Sequence, residues 1–171
     1  EGLVNVILPS IRAVREQLAE YAERYASLPM LSRTHGQPAT PTTLGKEFAV
    51  FHERLDRQIA QLQDYSMLIK LNGASGNYCA DTFAFPAVDW IEFSHRFAGQ
   101  LSRTYGGLDC NAHTTQIEPH DTYAELFAIF TRINTILIGM AQDMWSYVSE
   151  EWLVQQPVAG EVGSSAMPQK V

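Results

Sequence analysis

Cysteine is scarce in this sequence and positive charge is in deficit. Only Cys79 and Cys110 occur, and neither lies in a CxxC pattern, which argues for a reducing compartment over a disulfide scaffold. Lys and Arg number 12 against 19 Asp and Glu, a formal net charge of −7. Nucleic acid and anionic membrane surfaces both require a basic face, so neither is expected as a partner. No internal repeat is visible. The first residues, Glu1-Gly2-Leu3, include no Met, no basic n-region and no apolar h-region, so no signal peptide is read there, and the chain is expected to be an internal piece of a longer protein. What the sequence does have is apolar substance. Its 171 residues are 46% hydrophobic and 18% charged, enough to bury a core and to exclude disorder, at a length that suits one domain and barely two.

The apolar residues recur at helical spacing. Leu3, Val4, Ile7, Ile11, Val14, Leu18, Tyr21 and Tyr25 predict a helix over 3–26, kinked by Pro9 or regular only beyond it. Pro29, Gly36, Pro38 and Pro41 punctuate 27–42, which reads as a loop. Thr42 or Thr43 can cap a helix reaching about Leu71, with a stripe of Phe48, Phe51, Leu55, Ile59, Leu62, Tyr65 and Ile69 opposite a charged face. Residues 72–87 read as a loop or short hairpin. Asp89 can cap a third helix to about Tyr105, and Asp121 a fourth to about Trp152.

The fourth helix is the unusual one. From Leu126 to Gln142 its only charge is Arg132, and apolar residues occupy every face. A helix of that kind is expected to be buried all round. A membrane span fits poorly, because the uncharged run falls short of the ~20 residues a bilayer requires. Arg132, Asn134 and Thr135 also stand at its middle. A domain of four helices cannot easily surround such a helix by itself, so other copies of the chain are expected to help cover it.

Three non-helical segments concentrate polar chemistry. The first is Ser32 to Pro38 (SRTHGQP). An unperturbed imidazole titrates near neutrality, which makes His35 a candidate acid or base, and Arg33 offers a planar fork for a carboxylate or phosphate. The plainer reading of a loop His is one bonded to a backbone carbonyl. The second segment is His113 to Asp121 (HTTQIEPHD). Its spacing matches no metal-ligand pattern and Pro119 forbids a regular helix across it, so Gln116 and the Thr hydroxyls read as neutral hydrogen-bonding groups for a polar ligand. The third, Gly160 to Lys170 (GEVGSSAMPQK), reads as a mobile loop with two hydroxyls and a Lys that could close over an anionic substrate.

Taken together, the segments resemble the fumarase/aspartase superfamily of lyases, and within it the adenylosuccinate lyase family. GSSAMPQK at 163–170 follows the superfamily's mobile-loop signature GSSxMPxKxNP up to Val171. SRTHGQPATP at 32–41 looks like the segment that bears the catalytic His, and TTQIEPHD at 114–121 like the segment with the substrate-binding Gln. LNGASGNYCA (71–80) and PAVDW (86–90) follow the bacterial enzymes as well. One position departs: Gln169 stands where the family usually has His.

The resemblance implies an all-α fold, a long-helix bundle forming the superfamily's central domain, here a fragment that spans 1–171, ends in the signature loop 160–171 and completes its core by oligomerisation, as a homotetramer. It implies a cytoplasmic lyase of purine nucleotide biosynthesis that releases fumarate from adenylosuccinate and from succinyl-aminoimidazole carboxamide ribotide, with no metal or cofactor. It gives His35 as the acid that protonates the departing nitrogen and Ser164 as the base that removes the succinyl proton. Arg33, Thr34, Gln116, Ser165, Lys170 and Val171 would bind the anionic substrate. In such an assembly each site draws on several subunits, so His35 and Ser164 of one chain need not meet, and the 171-residue piece alone is expected to be inactive. Another lyase of the superfamily, such as argininosuccinate lyase or fumarase, and a non-catalytic helical assembly module are the rival readings.

Overall fold

Pro9 sets the start of the fold. In the computed structural model of the protein, which describes residues 1–167, Leu3–Ile7 winds as a π-helix and the regular helix α1, Leu8–Arg24, begins with Pro9 in its first turn. Proline has no N–H to give to the preceding turn, so regular α-helical bonding resumes beyond it. Tyr25 closes α1 by donating to Tyr21 O at 3.0 Å.

The second helix, α2 (Leu44–Asp64), is capped by Thr43, whose hydroxyl accepts from Lys46 N at 3.2 Å. Phe48, Phe51, Leu55, Ile59 and Leu62 are all buried, the predicted stripe. The Tyr21 and Phe48 rings lie 5.3 Å apart and Arg15 Nη1 is 3.6 Å from Asp56 Oδ1. Residue numbers therefore rise along one helix as they fall along the other, and the pair is antiparallel. The closest approach is backbone to backbone: Gly45 N donates to Tyr25 O at 2.9 Å and Leu44 N to Leu28 O at 3.0 Å.

Between them the structure replaces the expected loop with a hairpin. Strand β1 (Pro29–Thr34) pairs antiparallel with β2 (Gln37–Thr43), from Pro29 opposite Thr43 to Thr34 opposite Gln37, with an irregularity between Leu31 and Arg33. A two-stranded ribbon consists of two edges, where prolines are tolerated because no ladder N–H is required of them. His35 (φ 52°) and Gly36 (φ 71°) form the two-residue turn, both left-handed as a primed hairpin turn demands.

Helix α2 stops at Asp64, short of the predicted Leu71. Tyr65 keeps the phase of the stripe and is buried, but its backbone is already extended (ψ 133°). Met67–Ile69 forms strand β3, paired parallel with β4, Leu108–Cys110. Met67 N donates to Gly107 O at 2.7 Å and Asn111 N to Ile69 O at 2.9 Å, so partners distant in sequence take the backbone groups that more helix would have used. Residues 72–87 hold a loop and a short helix, α3 (Cys79–Ala84), where a loop or hairpin was expected. Helix α4 (Trp90–Tyr105) is capped as predicted, Asp89 Oδ1 accepting from Glu92 N at 3.0 Å. The fold is thus mainly helical, with two small two-stranded sheets that correct the all-α expectation.

Helix α5 runs from Asp121 to Ser149. Its buried residues, Leu126, Ile129, Ile133 and Ile136, trace one stripe, while Phe127 and Ile138 are each 59% exposed and Trp145 is 73% exposed. The chain therefore covers one face of α5 and not all of it, because its apolar residues outnumber the surfaces that this chain supplies. By length and composition α5 meets the size of a membrane span, a test that core helices of soluble proteins also pass. Its Arg132 donates through Nε to Gln58 Oε1 at 2.8 Å and through Nη2 to Gln61 Oε1 at 2.5 Å. Residues 1–133 form one compact unit and those from Asn134 onward a second, so α5 contributes to both.

Candidate functional site

The hairpin turn presents the first constellation. Arg33, Thr34, His35 and Gly36 are all exposed at its tip. Arg33 Nη1 donates to Gly36 O at 3.2 Å, so the guanidinium folds back over the turn and braces the carbonyl that follows His35. A left-handed conformation is uncommon for a residue with a Cβ, although His tolerates it better than most. The position therefore fixes the direction in which the imidazole leaves the chain. His35 is thus displayed, exposed, at the turn of a two-stranded support.

The second constellation sits where two loops dock. Thr114 Oγ1 lies 2.8 Å from Asn72 Oδ1 and 3.1 Å from Thr115 O. Gly76 (φ +78°) faces the same segment, and a Cβ there would collide with the Thr114 carbonyl, so only glycine allows the approach. Asn111 Nδ2 donates to both oxygens of the buried Glu118 at 3.3 and 3.0 Å, and its Oδ1 accepts from His113 N at 3.2 Å. Gln116 and Thr115 are exposed on the outside of this arrangement. The hydroxyl of Thr114 is thus engaged internally, and Gln116 is the group left facing outward. His120 (φ 66°) precedes α5, its ring 5.2 Å from Tyr123 in an edge-on contact. Its carbonyl accepts from Tyr123 N at 3.0 Å. Asp121 lies in the first turn, where a carboxylate favours the helix dipole.

The sequence marks Gly76 only as a loop breaker and singles out neither Asn72 nor Asn111. The two glycines and two asparagines of NGASGN (72–77) were the available signal, because those residue types serve left-handed turns and local side-chain hydrogen bonds. Asn72 is completely buried, and Tyr78 N donates to its carbonyl at 3.0 Å. Lys70 Nζ donates to Gly73 O within the same loop.

The third constellation lies in the second unit. Ser164 is half-buried, with Met167 N donating to its Oγ at 3.3 Å, and Ser165 is exposed. Gly160 has φ +90°, and Glu161 N donates to Val158 O at 3.0 Å. Lys170 and Val171, and with them Gln169, lie outside the described residues. The hairpin tip and the Gln116 loop belong to the first unit and Ser164 to the second.

Cys110 and Tyr65 have displaced protonation equilibria. Burial pushes the Cys110 thiol up, reinforced by the neighbouring Asp109 carboxylate. Burial likewise raises the Tyr65 phenol, partly offset by the Thr122 side chain; the phenol itself donates to Thr122 O at 2.9 Å. Cys110 ends β4 and Tyr65 lies two residues before β3. Among the described residues no group of three or more His, Cys, Asp and Glu side chains is placed to hold a metal.

Comparison with known proteins fits this inventory. The adenylosuccinate lyase of Vibrio cholerae serotype O1 is 49% identical over 171 residues, which is 100% of this chain and 37% of that protein. The enzyme of Escherichia coli K12 is 49% identical over 167 residues, covering 98% of this chain and 36% of the relative. That of Dictyostelium discoideum is 47% identical over 173 residues, covering 100% and 36%. The chain thus spans little more than a third of the length of these curated relatives. Among solved structures, a fumarate lyase from Mesorhizobium sp. BNC1 superposes with a TM-score of 0.69 at 27% identity, over 88% of this chain and 33% of that one. A 3-carboxy-cis,cis-muconate lactonizing enzyme from Pseudomonas putida reaches a TM-score of 0.71 over 98% of this chain and 36% of that one, and at 23% identity it speaks for the fold alone. A family model described as Lyase matches residues 1–171, and the chain belongs to that lyase family.

Proposed function

We propose that the protein of which this chain is a part is an adenylosuccinate lyase, releasing fumarate from adenylosuccinate to leave AMP and from the succinylated imidazole-carboxamide ribotide. The observation that carries the reading is the display of His35 at an exposed hairpin tip, within a chain 49% identical from end to end to an adenylosuccinate lyase. Elimination needs one group to take a proton from the succinyl carbon beside the one that bears nitrogen. A second must give a proton to that nitrogen as the carbon–nitrogen bond breaks. The electron pair of the broken carbon–hydrogen bond becomes the new carbon–carbon double bond of fumarate, and the carbon–nitrogen pair leaves with the nitrogen.

In this reading the imidazolium of His35 is the donor and Ser164 the acceptor, each contributing about 10²–10⁴ in rate. A serine hydroxyl is a poor base at its ordinary pKa and requires nearby positive charge and exclusion of water. Lys170 supplies the charge, and closure of the 160–171 loop supplies the exclusion. Arg33, Thr34, Gln116, Ser165, Lys170 and Val171 hold the carboxylates, phosphate and polar edges of the substrate. The chain's net charge is −7, so attraction for an anion is local, through Arg33, Lys170 and cations contributed by the rest of the protein.

The enzyme works as a homotetramer in the cytoplasm, without a metal, cofactor, nucleic acid or membrane. The uncovered face of α5, with Phe127 and Ile138 each 59% exposed, supports burial against other copies, since apolar patches of this kind mark association surfaces. Turnover of adenylosuccinate by the full-length protein, followed by ultraviolet absorbance, tests the reading. Release of fumarate is the expected result, and its absence with that substrate would overturn the assignment. Replacing His35 or Ser164 by Ala separates an enzyme from a helical assembly module. Activity should fall about 10²–10⁴-fold, and unchanged activity would refute the roles.

A further inference from the structure

We propose that Asn72 is a positioning residue, which sets the peptide carrying Gln116 by way of the Thr114 hydroxyl. The proposal rests on the reading of Gln116 as a substrate-binding side chain. Asn72 is among the largest fully buried side chains of the described residues, with Leu55 and Ser94. A polar group so completely enclosed is normally paired at every site it offers. Here the Thr114 hydroxyl, which has one proton, lies within reach of two acceptors, Asn72 Oδ1 at 2.8 Å and Thr115 O at 3.1 Å. The Nδ2 of Asn72 has no partner among the described residues.

With the Asn72 amide in its alternative orientation about the last torsion, Nδ2 donates to Thr114 Oγ1 and the hydroxyl donates to the Thr115 carbonyl. Two bonds then run in relay, amide to hydroxyl to carbonyl, in place of a contested proton. The Thr115 carbonyl and the Gln116 N–H belong to one rigid peptide plane, so fixing that oxygen fixes where Gln116 begins. Two further features serve the same end. Gly76 lets the loops come this close, since a Cβ there would collide with the Thr114 carbonyl and stand 3.1 Å from Thr115 O. The Asn111–Glu118 pair fixes the segment on its other side. Gln116, exposed between these anchors, leaves a backbone that is already set, so less order has to be imposed when substrate binds.

The test uses the full-length protein with Asn72→Ala, Thr114→Val, the two combined, and Thr114→Ser. Each of the first two should raise KM for adenylosuccinate about three- to tenfold, the range a neutral hydrogen bond contributes, with a smaller change in kcat. The double variant should be no worse than either single one, because both remove the same relay, and Thr114→Ser should restore KM. Amide hydrogen exchange over 113–118 in the absence of substrate should quicken in Asn72→Ala and Thr114→Val. Unchanged KM, additive effects, or exchange at the wild-type rate would each overturn the proposal. If the wild-type protein itself releases no fumarate, the substrate reading falls, and the exchange rates alone decide whether Asn72 governs the loop. Should Asn72→Ala fail to fold, Thr114→Val, at a half-buried position, carries both measurements.

Discussion

A glycine inside a helix is usually a place where alanine stabilises, by about 1 kcal/mol. Gly45 should reverse that sign. It lies in the first turn of α2, and a Cβ built there meets the Ala22 carbonyl and stands 2.6 Å from Ala26 N and from the Tyr25 carbonyl carbon. All three are backbone atoms, of the last turn of α1 and the two residues after it, with no flexible side chain to give way. Overpacking of this kind costs about 1–3 kcal/mol. Moving α2 outward to relieve it also weakens the bond from Gly45 N to Tyr25 O, worth about 0.5–1.5 kcal/mol. Set against a propensity gain of about 1 kcal/mol, Gly45→Ala should be destabilised by roughly 1–3 kcal/mol. Gly99, inside α4, is the control, because nothing lies within 4 Å of its Cβ position, and Gly99→Ala should gain about 1 kcal/mol. Urea midpoints of the two variants against wild type make the assay. A Gly45→Ala protein as stable as Gly99→Ala would show that α1 and α2 do not meet backbone to backbone, and the reasoning about this helix pair would fail.

Other expectations concern caps, thiols and alkaline pH. Thr43→Ala removes the hydroxyl that accepts from Lys46 N and should cost about 0.5–2 kcal/mol in the urea midpoint, whereas Thr43→Ser should be close to neutral. In the native protein iodoacetamide should modify the exposed Cys79 and spare the buried Cys110, as peptide mass spectrometry would report, and equal labelling would contradict the burial. Cys110 and Tyr65 both have folded-state pKa values above their unfolded ones, so each favours the protonated form in the fold. The stability they contribute is complete below their unfolded values, about 8.5 and 10, and is lost as pH rises through the folded values. Tyr65→Phe should therefore lose less stability than wild type above about pH 10, in urea titrations at stepped pH.

The helices were legible because each carries its signals locally. Thr43 and Asp89 cap as their residue types suggest, Pro9 marks the start of regular α1, and the stripe from Phe48 to Leu62 is buried as its spacing implies. The errors all arise where distant partners decide. The stripe of α2 continues in phase through Tyr65, so periodicity alone could not reveal that Gly107 and Asn111 would claim the next backbone groups. The prolines of 29–41 argued for a loop, yet a two-stranded ribbon accepts them, and His35-Gly36 serves as a turn that residue types mark less clearly than Asn-Gly would. Helix α5 reads as apolar on every face, with other copies expected to help cover it, and this chain buries Leu126, Ile129, Ile133 and Ile136 while Phe127 and Ile138 stay exposed. For the site, the motifs nominate Arg33, His35, Gln116 and Ser164. Asn72 escaped notice because its role depends on burial and on Thr114, 42 residues away along the chain.

The central claim is that an imidazole and a loop hydroxyl, on separate structural units of the chain, act on one substrate across a subunit boundary. Mixing full-length His35→Ala with full-length Ser164→Ala, each inactive alone, and letting subunits exchange tests it most directly. The account predicts that fumarate-releasing activity returns in the hybrids, because some sites then receive an intact His35 from one protomer and an intact Ser164 from another. If the two side chains came from a single protomer, every hybrid site would still lack one of them, and hybrids that form but stay inactive would contradict the account.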